Sequence, residues 1–226
     1  MQEPETDHDG RLTRRSTLVR AGGLAVAALG ASARPADAGA SALACILSPE
    51  MTEGPYYIDN AKLRRNITEG QPGAPLALRL SVLDATTCKP IKGAAVDIWH
   101  ASAGGKYSGE QANGTVGRTY LRGIQRTDAS GLALFRSVYP GWYQGRAVHI
   151  HVKVHVGGNV VHTGQLFFRD AFTAGVYKRA PYKTRGTPDV RNADDSIYAA
   201  GGSRSLLAMR TAGKGYVGSI SMGVHA

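Results

Sequence analysis

The stretch YPGWYQGRAVHIHVKV, residues 139 to 154, sets His149 and His151 at alternate positions among strand-forming residues, with Tyr143 and Arg146 just ahead of them. Along an extended chain successive side chains point to opposite faces, so the two imidazoles share one face about two residue rises apart and could grip one cation. Ile150, Val152 and Val154 fill the other face, while Lys153 and His155 continue the histidine face. An H-x-H pair by itself also suits an exposed strand face. Tyrosine narrows the chemistry: its proton leaves only near pH 10 in water, so a phenolate ligand calls for a hard, strongly Lewis-acidic, oxygen-loving cation. Ferric iron qualifies. Zinc more often recruits carboxylate or thiolate, and neither H-E-x-x-H nor C-x-x-C accompanies these histidines. Spacing alone leaves Tyr143 open to the commoner fate of a strand tyrosine, burial with its hydroxyl satisfied by a neighbour.

The elements that must position these residues read as strands and turns. LALRLSVLD alternates apolar residues from Leu76 to Leu83, TCKPIKG turns, and AAVDIWHAS resumes a strand near Ala94, which predicts a hairpin. TDASGLALFRSVYP repeats the pattern, with a turn at Asp128 to Gly131 and a strand from Leu132 to Val138. AVHIHVKVHV and NVVHTGQLFF flank a turn at Gly157 and Gly158. Short strands at this spacing, each burying one face, predict an all-β antiparallel β-sandwich with long connecting loops. The chain from Asp170 onward reads as loopier, with RGTPDVRNADDSIYAAGGS a long polar connection, and too little apolar sequence follows Asp195 for a second core.

With 226 residues, one catalytic domain over 39–226 is expected. Ahead of it, TRRSTLVRA supplies a twin-arginine region, AGGLAVAALGA a short apolar run and ADAGA a small-residue cleavage site after Ala38, so residues 1–38 read as a signal peptide for twin-arginine export. The expected destination is the periplasm or the exterior, with no stable membrane insertion after processing. Cys45 and Cys88 are the chain's two cysteines, and an even pair in an oxidising compartment predicts a disulfide. The net charge of +10 is scattered along the chain with no run of five like charges, which argues against a nucleic-acid partner and leaves attraction of anionic aromatic acids.

Taken in order, TEGPYY, GAAVDIWHASAGGKYSG, YPGWYQGRAVHIHVKV and TGQLFF resemble the intradiol ring-cleavage dioxygenases, over about Cys45 to Tyr198, and most of all the secreted single-domain relatives of catechol and protocatechuate dioxygenases. RNADDSIY resembles a segment of that family too. The resemblance implies Fe(III) held by Tyr107, Tyr143, His149 and His151, a fifth position for water, Arg146 and Gln165 as active-site residues, and Gly54, Pro55 and Tyr57 lining the substrate pocket. It implies a small catechol-type substrate, O2 as co-substrate and a cis,cis-muconate-type product. Tyr56, Tyr120 and Tyr139 match no ligand position of the family and read as structural. Trp99 and His100 read as packing the core or bracing the GGKYSG loop, and His155 and His162 as solvent-facing or outer neighbours of the site. Only five residues separate Tyr143 from His149, fewer than in the better-known catechol enzymes, so substrate preference does not carry across; no helical dimerisation segment is read between the signal and TEGPYY, so oligomeric state does not either. The rival reading is an exported, iron-free β-sandwich that binds a ligand.

Overall fold

The computed structural model describes residues 46–59 and 62–226. The expected signal peptide and Cys45 fall outside those residues. Cys88 is held in a disulfide. No helix among the described residues is long and apolar enough to cross a membrane.

Alternation dictates the first strand, β1 (Pro75–Asp84), in which Leu76, Leu78, Leu80 and Val82 are buried and the intervening residues are not. The other strands are β2 (Ala95–Trp99), β3 (Arg122–Arg126), β4 (Leu132–Val138), β5 (His149–Val156), β6 (Asn159–Phe167), β7 (Ala208–Ala212) and β8 (Gly215–Val224). Two short helices, α1 (Asp170–Tyr177) and α2 (Ser196–Ala199), lie between β6 and β7. The strands form two four-stranded sheets, ordered β4-β1-β8-β7 and β3-β2-β5-β6. Between them lies the main core, where the β1 leucines join Val96 and Ile98 of β2, Phe135 of β4, Ile150, Val152 and Val154 of β5, and Leu166 of β6.

The all-β sandwich expected from the sequence is the fold, with three differences in wiring. The predicted hairpin from Leu76 to Trp99 begins, with Asp84 N–H donating to Lys89 O and Ile91 N–H to Val82 O, but β1 and β2 then part into different sheets. The turn at Asp128 likewise carries the chain from β3 in one sheet to β4 in the other. A sheet with one apolar face must find a second sheet to cover it, and strands that switch sheets at their corners do so with short connections. Only β5 and β6 form the hairpin read from the sequence, across Gly157 and Gly158, both in the left-handed region that a tight two-residue turn requires. The third difference is β8, which pairs in parallel with β1 and antiparallel with β7 in a region read as loop. Glycine and serine dilute the alternation of Tyr216, Met222 and Val224 there, so the strand signal is weak.

The sheet that carries the histidines is covered on its second face as well. Ser48 N–H donates to Gly223 O of β8 and Met51 N–H to Thr163 O of β6, so this segment runs from one sheet to the edge of the other. Met51, Ala147 and Phe167 form one small apolar cluster there, and Trp99, Ala101 and Tyr107 another. Strand β5 is therefore buried on both sides from His149 to Val154.

Leu80 is fully buried at the centre of the main core. Leu80→Ala is expected to lower stability by about 2–5 kcal/mol, through lost transfer energy plus the cavity left behind. Urea unfolding checks it: the midpoint should fall with an unchanged m-value, and an unmoved midpoint would place Leu80 outside the cooperative core.

Candidate metal centre

On β5 the period of two sends His149 and His151 away from the main core into the second buried layer. Their Nε2 atoms lie 3.1 Å apart with the rings at 80°. Nδ1 of His149 sits 2.7 Å from Ala147 O, which can only accept, so that nitrogen carries the proton and Nε2 presents its lone pair. The His151 ring lies flat against Trp99, 4.9 Å away at 4°, and its Nδ1 has no partner. Burial, and then the Arg146 charge, push His149 down to about 3. Burial, then His149 and Arg146, hold His151 well below 6.5. Both imidazoles are neutral near pH 7.

The phenols arrive from two loops. Gly141 lets the PGW segment lie against the loop after β2, since a Cβ there would stand 2.3 Å from Ala103 O and 2.6 Å from Ser102 O. That contact brings the Tyr143 ring to 5.5 Å from Tyr107 and the Tyr143 hydroxyl to 3.2 Å from His149 Nε2. Tyr107 lies 6.0 Å from the His151 ring, and its buried hydroxyl makes no hydrogen bond. Burial, then the neighbouring Tyr143, hold the Tyr107 phenol well above 10. Tyr143 is raised too, by burial opposed by Arg146. A buried hydroxyl without a partner costs about 1–3 kcal/mol. Among the described residues no three His, Cys, Asp or Glu side chains form a metal-sized group. Two imidazole nitrogens with free lone pairs and two phenols, one orphaned, are instead a donor set that fits a hard trivalent cation such as ferric iron.

Arg146 bridges this cluster to its surroundings. Its Nε donates to Asp195 Oδ2 at 2.9 Å, NH2 to Gln165 Oε1 at 2.5 Å and NH1 to the Tyr143 hydroxyl at 3.5 Å. Gln165 pairs in register with His151, is fully buried, and donates to Thr52 O at 2.9 Å. Asp195 also accepts Ala147 N–H at 2.8 Å and caps α2 through Ile197 and Tyr198. Burial alone would raise its carboxyl, but the Tyr198 N–H and Arg146 outweigh that and hold it below 3.8. Asp195 escaped the sequence reading; an aspartate directly ahead of a Ser-Ile-Tyr turn is the signal of a helix N-cap.

The segment expected to line the substrate pocket divides. Gly54, at φ +70°, approaches His151 so closely that a Cβ would sit 3.3 Å from its Cε1. Pro55 is exposed. Tyr57 turns toward Trp99, at 4.8 Å, with Lys153 Nζ 3.6 Å above its ring. Tyr56 faces the phenols instead, stacked on Tyr107 at 4.3 Å and edge-on to Tyr143 at 5.8 Å, a placement the sequence did not distinguish from a structural one. Tyr139 is a core residue bonded to Thr173. Trp99 does brace the site, by stacking on His151, and His100 is buried with Ser137 and Ala101 as partners. His162 is not solvent-facing: it is buried, and Glu50 lies 2.7 Å from its Nδ1.

Comparison with known proteins shows which family this sandwich belongs to. A family profile described as Dioxygenase matches residues 52–173. The intradiol ring-cleavage dioxygenase from Tetranychus urticae superposes with a TM-score of 0.75 at 35% identity, covering 80% of this chain and 94% of that one. The dioxygenase domain of a dioxygenase carbohydrate-binding protein fusion from Streptomyces sp. SirexAA-E gives a TM-score of 0.61 at 32% identity, over 79% of this chain and 97% of that one. Catechol 1,2-dioxygenase 1 of Acinetobacter lwoffii is 31% identical over 101 residues, 42% of this chain and 32% of the relative. Chlorocatechol 1,2-dioxygenase of Pseudomonas putida is 28% identical over 137 residues, 51% and 52% of the two chains. The chain thus spans about a third to a half of the length of these curated relatives. It belongs to the intradiol ring-cleavage dioxygenase family.

Beside the donors, Asp97 of β2 faces Lys153 across the sheet, with its Oδ1 unpartnered. Burial, offset in part by Lys153 and Arg122, pushes its carboxyl up from 3.8 to about 7. Between those values the folded chain holds a proton that the unfolded chain has released, so this group makes stability fall as pH rises from about 4 to about 7. Asp97→Asn, neutral throughout, is expected to flatten that decline. The measurement is the urea midpoint at about pH 5 and about pH 7.5, and equal drops for variant and parent would show that Asp97 is ionised in both states.

Proposed function

We propose that the chain is a non-haem Fe(III) intradiol dioxygenase that opens a catechol-type ring with O2 to a cis,cis-muconate-type product. The observation that carries this reading is the buried meeting of two neutral imidazoles with two phenols, the Tyr107 hydroxyl unpartnered, beside the Arg146–Gln165 pair. Tyr107, Tyr143, His149 and His151 would hold the iron. Ferric iron bound there supplies a Lewis acid for both catechol oxygens and withdraws electron density so that the ring itself meets dioxygen. Both atoms of O2 end in the product, and the electrons come from the ring carbon–carbon bond that breaks. No nicotinamide or flavin enters that balance.

The residues around the donors have separable tasks. As a phenolate in the iron-loaded site, the Tyr143 oxygen, next to Arg146 and His149, would accept one catechol proton as the substrate binds. Arg146 faces that oxygen, so negative charge developing on the substrate meets a guanidinium already fixed by Asp195 and Gln165. Gln165 holds the guanidinium at one end and the Thr52 carbonyl at the other, which ties the charge to the segment bearing Gly54. Trp99 and Tyr56 wall the donors with apolar surface and keep bulk water from them. The family relationship supports this reading, and four filled donor positions weigh against the iron-free binding module. The twin-arginine pattern ahead of Ala38 supports export of the folded enzyme.

Iron-loaded protein is expected to be red, because phenolate-to-ferric charge transfer absorbs visible light, and to consume O2 while a muconate absorbance grows on a catechol panel. Tyr143→Phe should shift and weaken the visible band. Colourless protein that takes up zinc in place of iron would overturn the assignment.

Arg146→Met separates binding from turnover. The variant is expected to keep iron and its visible band while kcat falls about 100-fold or more, the scale of losing one preorganised charge-stabilising donor. Loss of iron would make Arg146 part of the metal's support, and unchanged turnover would remove it from the reaction.

A further inference from the structure

Arg122 opens β3 directly opposite Trp99 and is almost fully buried. Its guanidinium fork reaches two separate segments: Nε donates to Ser108 Oγ at 2.9 Å, NH2 to Ser108 O at 2.7 Å and NH1 to Tyr56 O at 2.6 Å. Those segments carry the two stacked rings, Tyr107 and Tyr56. On its other side the Tyr107 loop is pinned by Thr115, whose hydroxyl donates to Tyr107 O at 2.6 Å. The guanidinium carbon lies 6.0 Å from the centre of the Tyr107 ring. Its nearest carboxylate is Glu110, at 3.8 Å and partly exposed. Carbonyl oxygens and the Ser108 hydroxyl accept from the fork, and Glu110 offsets part of its charge.

We propose that Arg122 is a positioning residue for the first phenol: its fork ties the Tyr107–Ser108 loop to the Tyr56 backbone and so sets the Tyr107 ring against Tyr56, facing the other donors. Arg146 reaches the Tyr143 hydroxyl itself, whereas Arg122 holds the backbone of the two segments that carry Tyr107 and Tyr56. The proposal rests on the ferric reading above and predicts a division of labour that reading does not contain. Arg146 also contacts Gln165 beside the substrate segment, whereas Arg122 contacts loop backbone and serine.

The test compares wild type, Arg122→Met, Arg122→Lys and Tyr107→Phe, each titrated anaerobically with Fe(III) and read by visible absorption without substrate. Losing the fork frees the Tyr107–Ser108 loop from the Tyr56 backbone, so Arg122→Met is expected to weaken the charge-transfer band and to weaken iron binding about 10-fold or more. Arg122→Lys keeps the charge without the fork, and should show the same losses. A folded Arg122→Met with undiminished band and unchanged iron affinity overturns the proposal, even if its melting temperature drops. Should Arg122→Met fail to fold, Arg122→Lys decides: a weakened band and weaker iron binding support the role, and a band and affinity at the wild-type values overturn it. Wild type that takes no Fe(III) or stays colourless would instead defeat the ferric reading itself.

Discussion

Burying two imidazoles side by side on β5 removes them from water, and the protein returns only part of that solvation. His149 is compensated through Ala147, whereas Nδ1 of His151 and the hydroxyl of Tyr107 are left without partners. Polar groups in such a state are rare in folded chains, because each forfeits a hydrogen bond that water would have supplied. The remainder of the layer is arranged around that deficit. Trp99 lies flat on one ring, Phe167 stands 5.9 Å from the other, and the PGW segment is pressed against the loop after β2 closely enough to exclude a side chain at Gly141. A layer that keeps lone pairs dry and pointed at one another fits the cation proposed above.

The two arginines answer the same deficit from opposite sides. Arg146 is held by a buried aspartate that also caps α2, so its position is inherited from the chain after β6. Arg122 is held by carbonyls and by a serine, so its position is inherited from β3 and the loops it spans. Burial raises both phenols while the neighbouring guanidinium groups oppose that rise.

Much of this was legible before any coordinates. Histidines two apart on a strand, a turn at Gly157–Gly158 and the alternation in β1 depend on local periodicity, which a single sequence displays directly. What escaped depends on which sheet a strand joins and on contacts between distant segments. β2 follows β1 after a turn with hairpin character, yet goes to the other sheet, because covering an apolar face is a requirement of the whole sandwich and not of the turn. Tyr56 and Tyr57 are neighbours of the same type, and only the path of the segment over β6 decides that one stacks on Tyr107 and the other goes to Trp99 and Lys153. Asp195 and Arg122 looked like ordinary polar residues because their partners lie 49 and 14 to 66 positions away.

The parallel pairing of β1 with β8 has a consequence for the order in which the chain takes shape. Leu76 finds its partner Tyr216 only after everything between them has been made. At a synthesis rate of about 5–20 residues per second, β1 therefore waits on the order of ten seconds with one side of its hydrogen-bonding ladder open. During that interval the sheet packed across the main core from the histidine-bearing sheet is missing its third and fourth strands. Residues 47–52 meanwhile lack the β8 backbone on which Ser48 anchors, so the cover over β6 is incomplete as well. Closure of the donor layer is thus a late event in the life of the nascent chain, and a cation admitted before it would enter a pocket still open to water.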